Sequence, residues 1–112
     1  MAKSQSITLK AQASKAKGKS DELVLQMQGE LTLDNATKVK EFLLSNMPKG
    51  KTFNVKISNV DNIDLGFLQL LKRFCWDAQQ EQKGVDITMN ISEDQKMLLI
   101  RSGFESIITL TN

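Results

Sequence analysis

The 112-residue sequence contains no histidine and no tyrosine, and only one cysteine, one proline and one tryptophan. Without histidine there is no imidazole general base, no Ser-His or Cys-His nucleophilic pair and no His-bearing metal site. Cys75 alone forms no internal disulfide, no CxxC redox pair and no cysteine zinc site, which fits a reducing, intracellular setting. No stretch approaches the roughly 18 apolar residues of a membrane span, and the first ten residues lack the apolar run of a secretion signal. Cytoplasmic localisation, with no membrane insertion, is the expectation. Fifteen Lys and Arg against thirteen Asp and Glu give a net charge of +2, without the basic stripe that phosphate neutralisation requires, so nucleic acid is not an expected partner. What is present is ordinary for a folded chain: 40% hydrophobic and 25% charged residues exclude disorder as the explanation. The length fits a single domain over 1–112, with 1–6 expected as a flexible extension.

Periodicity places the elements. Ile7, Leu9 and Ala11 alternate with polar residues, and so do Leu23, Leu25 and Met27, giving two strands joined by a solvated, basic hairpin loop over 14–20. From 33 to 47, Ala36, Val39, Phe42, Leu43 and Met47 recur at spacings of three and four until Pro48 and Gly50 end the first helix. Phe53, Val55 and Ile57 return to period two as a third strand, followed by a polar turn over 61–64. Phe67, Leu68, Leu70, Leu71, Phe74, Cys75 and Ala78 form the broad apolar face of a second helix expected to run to Lys83 and stop at Gly84. Val85, Ile87, Met89 and Ile91 alternate again, Ser92 caps a third helix, Gly103 ends it, and Ile107, Ile108 and Leu110 suggest an edge strand or apolar tail.

The order strand, strand, helix, strand, helix, strand, helix predicts an α/β fold. Its mixed sheet has about four to five strands, largely parallel after an N-terminal antiparallel pair. Strands buried on both faces read as continuous apolar runs, whereas these carry Gln26, Gln28, Asn54, Lys56, Thr88 and Asn90 at alternate positions, so helices are expected mainly on one face.

With the elements placed, the chain resembles the STAS domain family, which includes the bacterial anti-sigma factor antagonists, over about Leu23 to Ile108. The anchors are Gly29-Glu30-Leu31 after the second strand, Val60-Asp61-Asn62-Ile63-Asp64 before the second helix, Lys83-Gly84 after it, and Ser102-Gly103-Phe104 after the third helix. Each motif is weak alone; their order and spacing carry the resemblance. It implies a non-enzymatic protein-binding module in signalling or transcription regulation. The partner-facing residues it implies are Asp61, Asp64, Leu65, Gly66 and Phe67 at one turn and Gly29, Glu30, Thr32 and Asp34 at a neighbouring rim. The sequence departs from the phosphorylatable members, which resemble Asp-Ser-Ser-Gly at this turn. Here the run is Asp64-Leu65-Gly66-Phe67, and no Ser, Thr or Tyr occurs over 59–87. Leu65 thus stands at the position of the family serine.

Structural explanations compete for each of these residues. Asp64 is a natural N-cap of the second helix, Thr32 or Asp34 of the first, and Gly29 and Gly66 answer to backbone conformation. Of Leu65 and Phe67, one is expected to pack inward while the other faces solvent. Trp76 lies off the apolar stripe and is expected to pack between helices; Cys75 belongs to the stripe and reads as an inert thiol. The leading expectation is docking onto a kinase-like anti-sigma factor or another signalling protein. The alternative the resemblance offers is an accessory subunit of a transporter ATPase, of the lipid-trafficking type. No cofactor is expected; some members of the fold bind a nucleoside triphosphate, but this chain has no GxxxxGK[ST] loop and no metal-ligand cluster.

Overall fold

A computed structural model describes residues 7–13, 21–103 and 109–111, with Ser102 and the last three described by backbone alone. The expected extension over 1–6, the hairpin loop over 14–20, and Phe104, Ile107 and Ile108 lie outside the described residues. Strand β1 (Ile7–Ala13) pairs antiparallel with β2 (Glu22–Leu31). Strands β3 (Thr52–Ile63), β4 (Gly84–Asn90) and β5 (Thr109–Thr111) then follow β2 in parallel, and the sheet order is β1-β2-β3-β4-β5. Helices α1 (Ala36–Asn46), α2 (Leu65–Gln80) and α3 (Glu93–Ser102) connect the parallel strands, and short 3-10 turns, Leu33–Asn35 and Met47–Lys49, flank α1.

Parallel neighbours joined by right-handed crossovers, in a sheet that grows in one direction, place successive helices on the same face. The burial follows. Leu25, Met27, Phe53, Val55, Ile57, Ile87 and Met89 share one buried core with Val39 and Leu43 of α1, Phe67, Leu68, Leu71, Phe74 and Ala78 of α2, and Leu99 of α3. Phe53 and Phe74 meet edge to face with centroids 5.3 Å apart. The opposite sheet face carries Gln26, Gln28, Asn54, Lys56, Thr88 and Asn90, all half-buried or exposed. The alternation in the sequence therefore reports a sheet covered by helices on one side.

Several boundaries differ from the sequence reading. The first helix, expected over 33–47, is α-helical only over Ala36–Asn46 between its two 3-10 turns, and Ile91 lies past the end of β4. Two other ends shift for reasons the pairing shows. The polar turn expected over 61–64 is sheet as far as Ile63, because β2 supplies partners to the end: Gly29 pairs with Val60, Glu30 with Asn62 and Leu31 with Ile63. The pairing survives two register shifts, with Gly29 at φ 99° and Asn59 at φ 50°, and a positive φ is what glycine and asparagine accept most readily. Helix α2 ends at Gln80, short of Lys83. Gln82 takes the left-handed conformation at φ 60°, the Lys83 N–H donates back to the Ala78 carbonyl at 2.8 Å, and Gly84 already opens β4. The third helix matches its signals. The Ser92 hydroxyl accepts from the Gln95 N–H, the Gln95 side chain accepts from the Ser92 N–H, and Gly103 closes the helix at φ 76°.

Candidate functional site

Because Leu31 and Ile63 are register partners, the chain leaving β2 and the chain entering α2 emerge side by side. Asp64 joins them. Its extended backbone makes it the N-cap of α2, and one carboxylate oxygen, Oδ1, accepts from the Phe67 N–H at 3.0 Å. The other, Oδ2, accepts from the Leu33 N–H at 2.9 Å, across 31 residues of sequence. Its own N–H donates to the Leu31 carbonyl at 3.3 Å, and its carbonyl accepts from the Leu68 N–H at 3.2 Å. Asp64 is therefore both a helix cap and the fastener between two loops.

That fastening brings two apolar side chains to the surface at one junction. Leu33 is 66% exposed and Leu65 is 45% exposed. A Cβ on Gly66 would lie 3.0 Å from Leu33 Cδ1 and 3.4 Å from Leu33 Cβ, so Leu33 lies across Gly66. Here glycine answers to close approach. Leu33 lies in the Thr32-Leu33-Asp34 loop that the resemblance places at the partner-facing rim, but it is not itself among the contact residues expected there. The only sequence signal is a large apolar residue between two polar ones, Thr32 and Asp34, just ahead of α1.

The remaining expected contact residues divide. Asp34 is exposed beside Leu33, and Asp61 is exposed near the end of β3, where neighbouring Asn62 pairs with Glu30. Glu30 and Gly29 are half-buried, and the Glu30 carbonyl accepts from Asn35 Nδ2 at 2.8 Å. Phe67 is fully buried: the contact expected there is replaced by core packing, since its place in the first turn of α2 points it at the sheet. Thr32 is 8% exposed and presents almost nothing to a partner. It precedes the 3-10 turn as a cap by position, yet its hydroxyl caps nothing, and Oγ1 has no hydrogen-bond partner among the described residues.

Farther along α2, Trp76 departs from the packing expected of it. It is 53% exposed, and the Arg73 guanidinium lies 5.4 Å from its ring centroid. Cys75 is half-buried against the core, and burial pushes its thiol up to about 11, so it stays protonated and unreactive near neutral pH. Among the described residues no three His, Cys, Asp or Glu side chains gather as a metal site. No described helix is long and apolar enough to cross a membrane. The junction offers shape, apolar area and carboxylates, the chemistry of recognition.

Residues 14–109 match the family model described as Mlab, STAS domain. No curated protein matches the sequence. Among solved structures, the chain is similar to the Bacillus cell fate determinant SpoIIAA in its phosphorylated form, with a TM-score of 0.65 at 11% identity, covering 96% of this chain and 92% of that one. It is also similar to the anti-sigma factor antagonist SpoIIAA in its unphosphorylated form, with a TM-score of 0.70 at 11% identity, covering 96% and 89%. At that identity the likeness is one of fold: an antiparallel first pair, parallel strands after it, and connecting helices.

Proposed function

Because the chain belongs to the STAS domain family, we propose that it is a non-enzymatic, cytoplasmic regulatory module that docks a partner protein through the Asp64 junction and is not switched by phosphate there. The observation that carries this reading is the exposed Leu33–Leu65 pair, held over the N-terminus of α2 by the Asp64 carboxylate. Exposed apolar side chains on a rigid, hydrogen-bonded base suit a binding hot spot. Fully covering each leucine is worth up to roughly 1.5–3 kcal/mol. Asp34, Asp64 and Asp61 set the polar rim, and Glu30 and Gly29 hold the neighbouring strand end in register.

Phosphate at the first helical position would gain from free N–H groups and the helix dipole while adding about −1.5 to −2 charges. Leu65 occupies that position and has no hydroxyl to carry it. The module is thus proposed to bind constitutively at this surface, with control residing in its partner. A kinase-like anti-sigma factor or another signalling protein is the partner class we favour, since the similar structures are of an anti-sigma factor antagonist.

The test is affinity capture from the source organism's lysate, with and without ATP, read by mass spectrometry for the wild type and for folded Leu65→Asp and Leu33→Asp proteins. We expect a signalling protein to be captured by the wild type and lost with either variant. Capture of a transporter ATPase in its place would assign the module to a transport assembly. A partner retained by both folded variants would refute the junction as the docking surface.

A further inference from the structure

Ahead of α1 the backbone bonds have a second way to pair. Thr32 holds the extended conformation of an N-cap, φ −131° and ψ 174°, yet its buried hydroxyl caps nothing and has no partner among the described residues. The Asn35 N–H is the donor that an N-cap side chain three residues earlier takes; here it donates to the Thr32 carbonyl at 2.9 Å instead. The Ala36 N–H donates to the Leu33 carbonyl, the short i to i−3 bond of a 3-10 turn. Asn35 sits at φ −108° and ψ 15°, and no side chain caps α1. Rotations of roughly 45° and 60° would bring that one residue to helical values. A 3-10 turn at a helix start is common; a buried hydroxyl left unpaired at the capping position beside it is not.

We infer that the rim over 32–35 has two states, in which the 3-10 turn converts to a further α turn and α1 lengthens to 33–46 with the Thr32 hydroxyl as its N-cap. Each bond given up is replaced. The Asn35 N–H passes from the Thr32 carbonyl to Thr32 Oγ1, and the Ala36 N–H passes from the Leu33 carbonyl to the Thr32 carbonyl, the i to i−4 bond of an α-helix. The hydroxyl gains the partner it lacks. Two bonds hold the 3-10 form against this: Asn35 Nδ2 donates to the Glu30 carbonyl at 2.8 Å, and the Leu33 N–H donates to Asp64 Oδ2 at 2.9 Å. The consequence rests on the docking role proposed for the junction. In the 3-10 form Leu33 lies across Gly66 near Leu65; rewinding the turn carries Leu33 off that seat. Only the 3-10 form then presents the leucine pair, and apparent affinity scales with its population. Asp64, in place of a phosphate on α2, sets how much of that form exists.

The test is amide relaxation dispersion on the full chain without a partner, which reads exchange on the microsecond-to-millisecond scale. Exchange is expected at the amides of 33–36 in the wild type and in Thr32→Ser, which keeps a capping hydroxyl, and is expected to vanish in Thr32→Val. Asp64→Asn, which loses the acceptor for the Leu33 N–H, should raise the α population several-fold and move the Cα shifts of Leu33, Asp34 and Asn35 toward helical values. Amide spectra away from the junction should stay native in all three variants. Flat profiles in both the wild type and Asp64→Asn, or exchange that persists in Thr32→Val, would overturn the inference. No partner is present, so the two readings fail separately: a partner retained by folded Leu33→Asp and Leu65→Asp refutes the docking surface, and flat profiles refute the two-state rim.

Discussion

Replacing Asp64 with alanine removes two hydrogen bonds at once, and their sum follows from the geometry. The bond to the Phe67 N–H is an N-cap, worth about 1 kcal/mol. The bond to the Leu33 N–H is also charge-assisted, but solvent-exposed Leu33 keeps it near the low end of such bonds, again about 1 kcal/mol. Asp64→Ala should therefore lose about 2 kcal/mol, or about 10 °C in Tm for a domain of this size. Asp64→Asn separates the two contributions. Its amide oxygen still serves the Phe67 N–H, while its NH₂ faces another donor at Leu33, so it should lose about half as much. Urea unfolding followed by far-UV dichroism at 222 nm measures both; Trp76 is too exposed to report core melting cleanly. A loss below about 0.5 kcal/mol in Asp64→Ala, or an asparagine variant as stable as the wild type, would show that the carboxylate does not fasten the loops in solution.

Three further outcomes are expected. Thr32→Val, which swaps a buried hydroxyl without a described partner for a methyl of similar shape, should raise stability by about 1–2 kcal/mol; an unchanged or lower Tm would mean the hydroxyl is satisfied. Gly66→Ala should keep or slightly raise stability, because helix propensity favours alanine by up to about 1 kcal/mol and exposed Leu33 has room to move, yet it should weaken partner capture by displacing Leu33. Normal capture by that variant would argue against Leu33 as a contact. Cys75, raised to about 11, should be alkylated near pH 8 about a hundredfold more slowly than an ordinary thiol. The unfolded chain loses that proton first, so stability is complete below the ordinary thiol range and declines as pH rises toward about 11. Cys75→Ala should remove that part of the decline in alkaline denaturation curves.

The strands and helices were legible because their apolar periods differ, and the one-sided sheet because polar residues alternate on β2, β3 and β4. Element ends were less so. Nothing local to 61–63 announces a strand; those residues are held by Glu30 and Leu31, some thirty positions earlier. Likewise Gln82 adopts a conformation for which Gly84 was the better local candidate. The site was half legible. Asp64 and Leu65 carried signals in their own turn, whereas the bond from Leu33 to Asp64 is set by the register of β2 and β3, which sequence alone does not give. Helix phase already put Trp76 off the apolar stripe; whether a side chain there packs between helices or faces solvent depends on where the neighbouring helices lie, which the sequence does not give, and it is exposed.

The sheet's strand order repeats the chain order from β1 to β5, and this has a consequence for synthesis. Each strand that emerges from a ribosome finds its neighbour already made, at the one growing edge of the sheet. The hairpin of β1 and β2 forms a template, α1 and β3 close on it, and only then does Asp64 arrive, to find Leu33 waiting. No late segment has to insert between earlier ones, so loop closure stays short at every stage. Truncation from the C-terminal end should accordingly peel β5 and α3 away in order, leaving the loop-to-helix junction at Asp64 until α2 itself is lost.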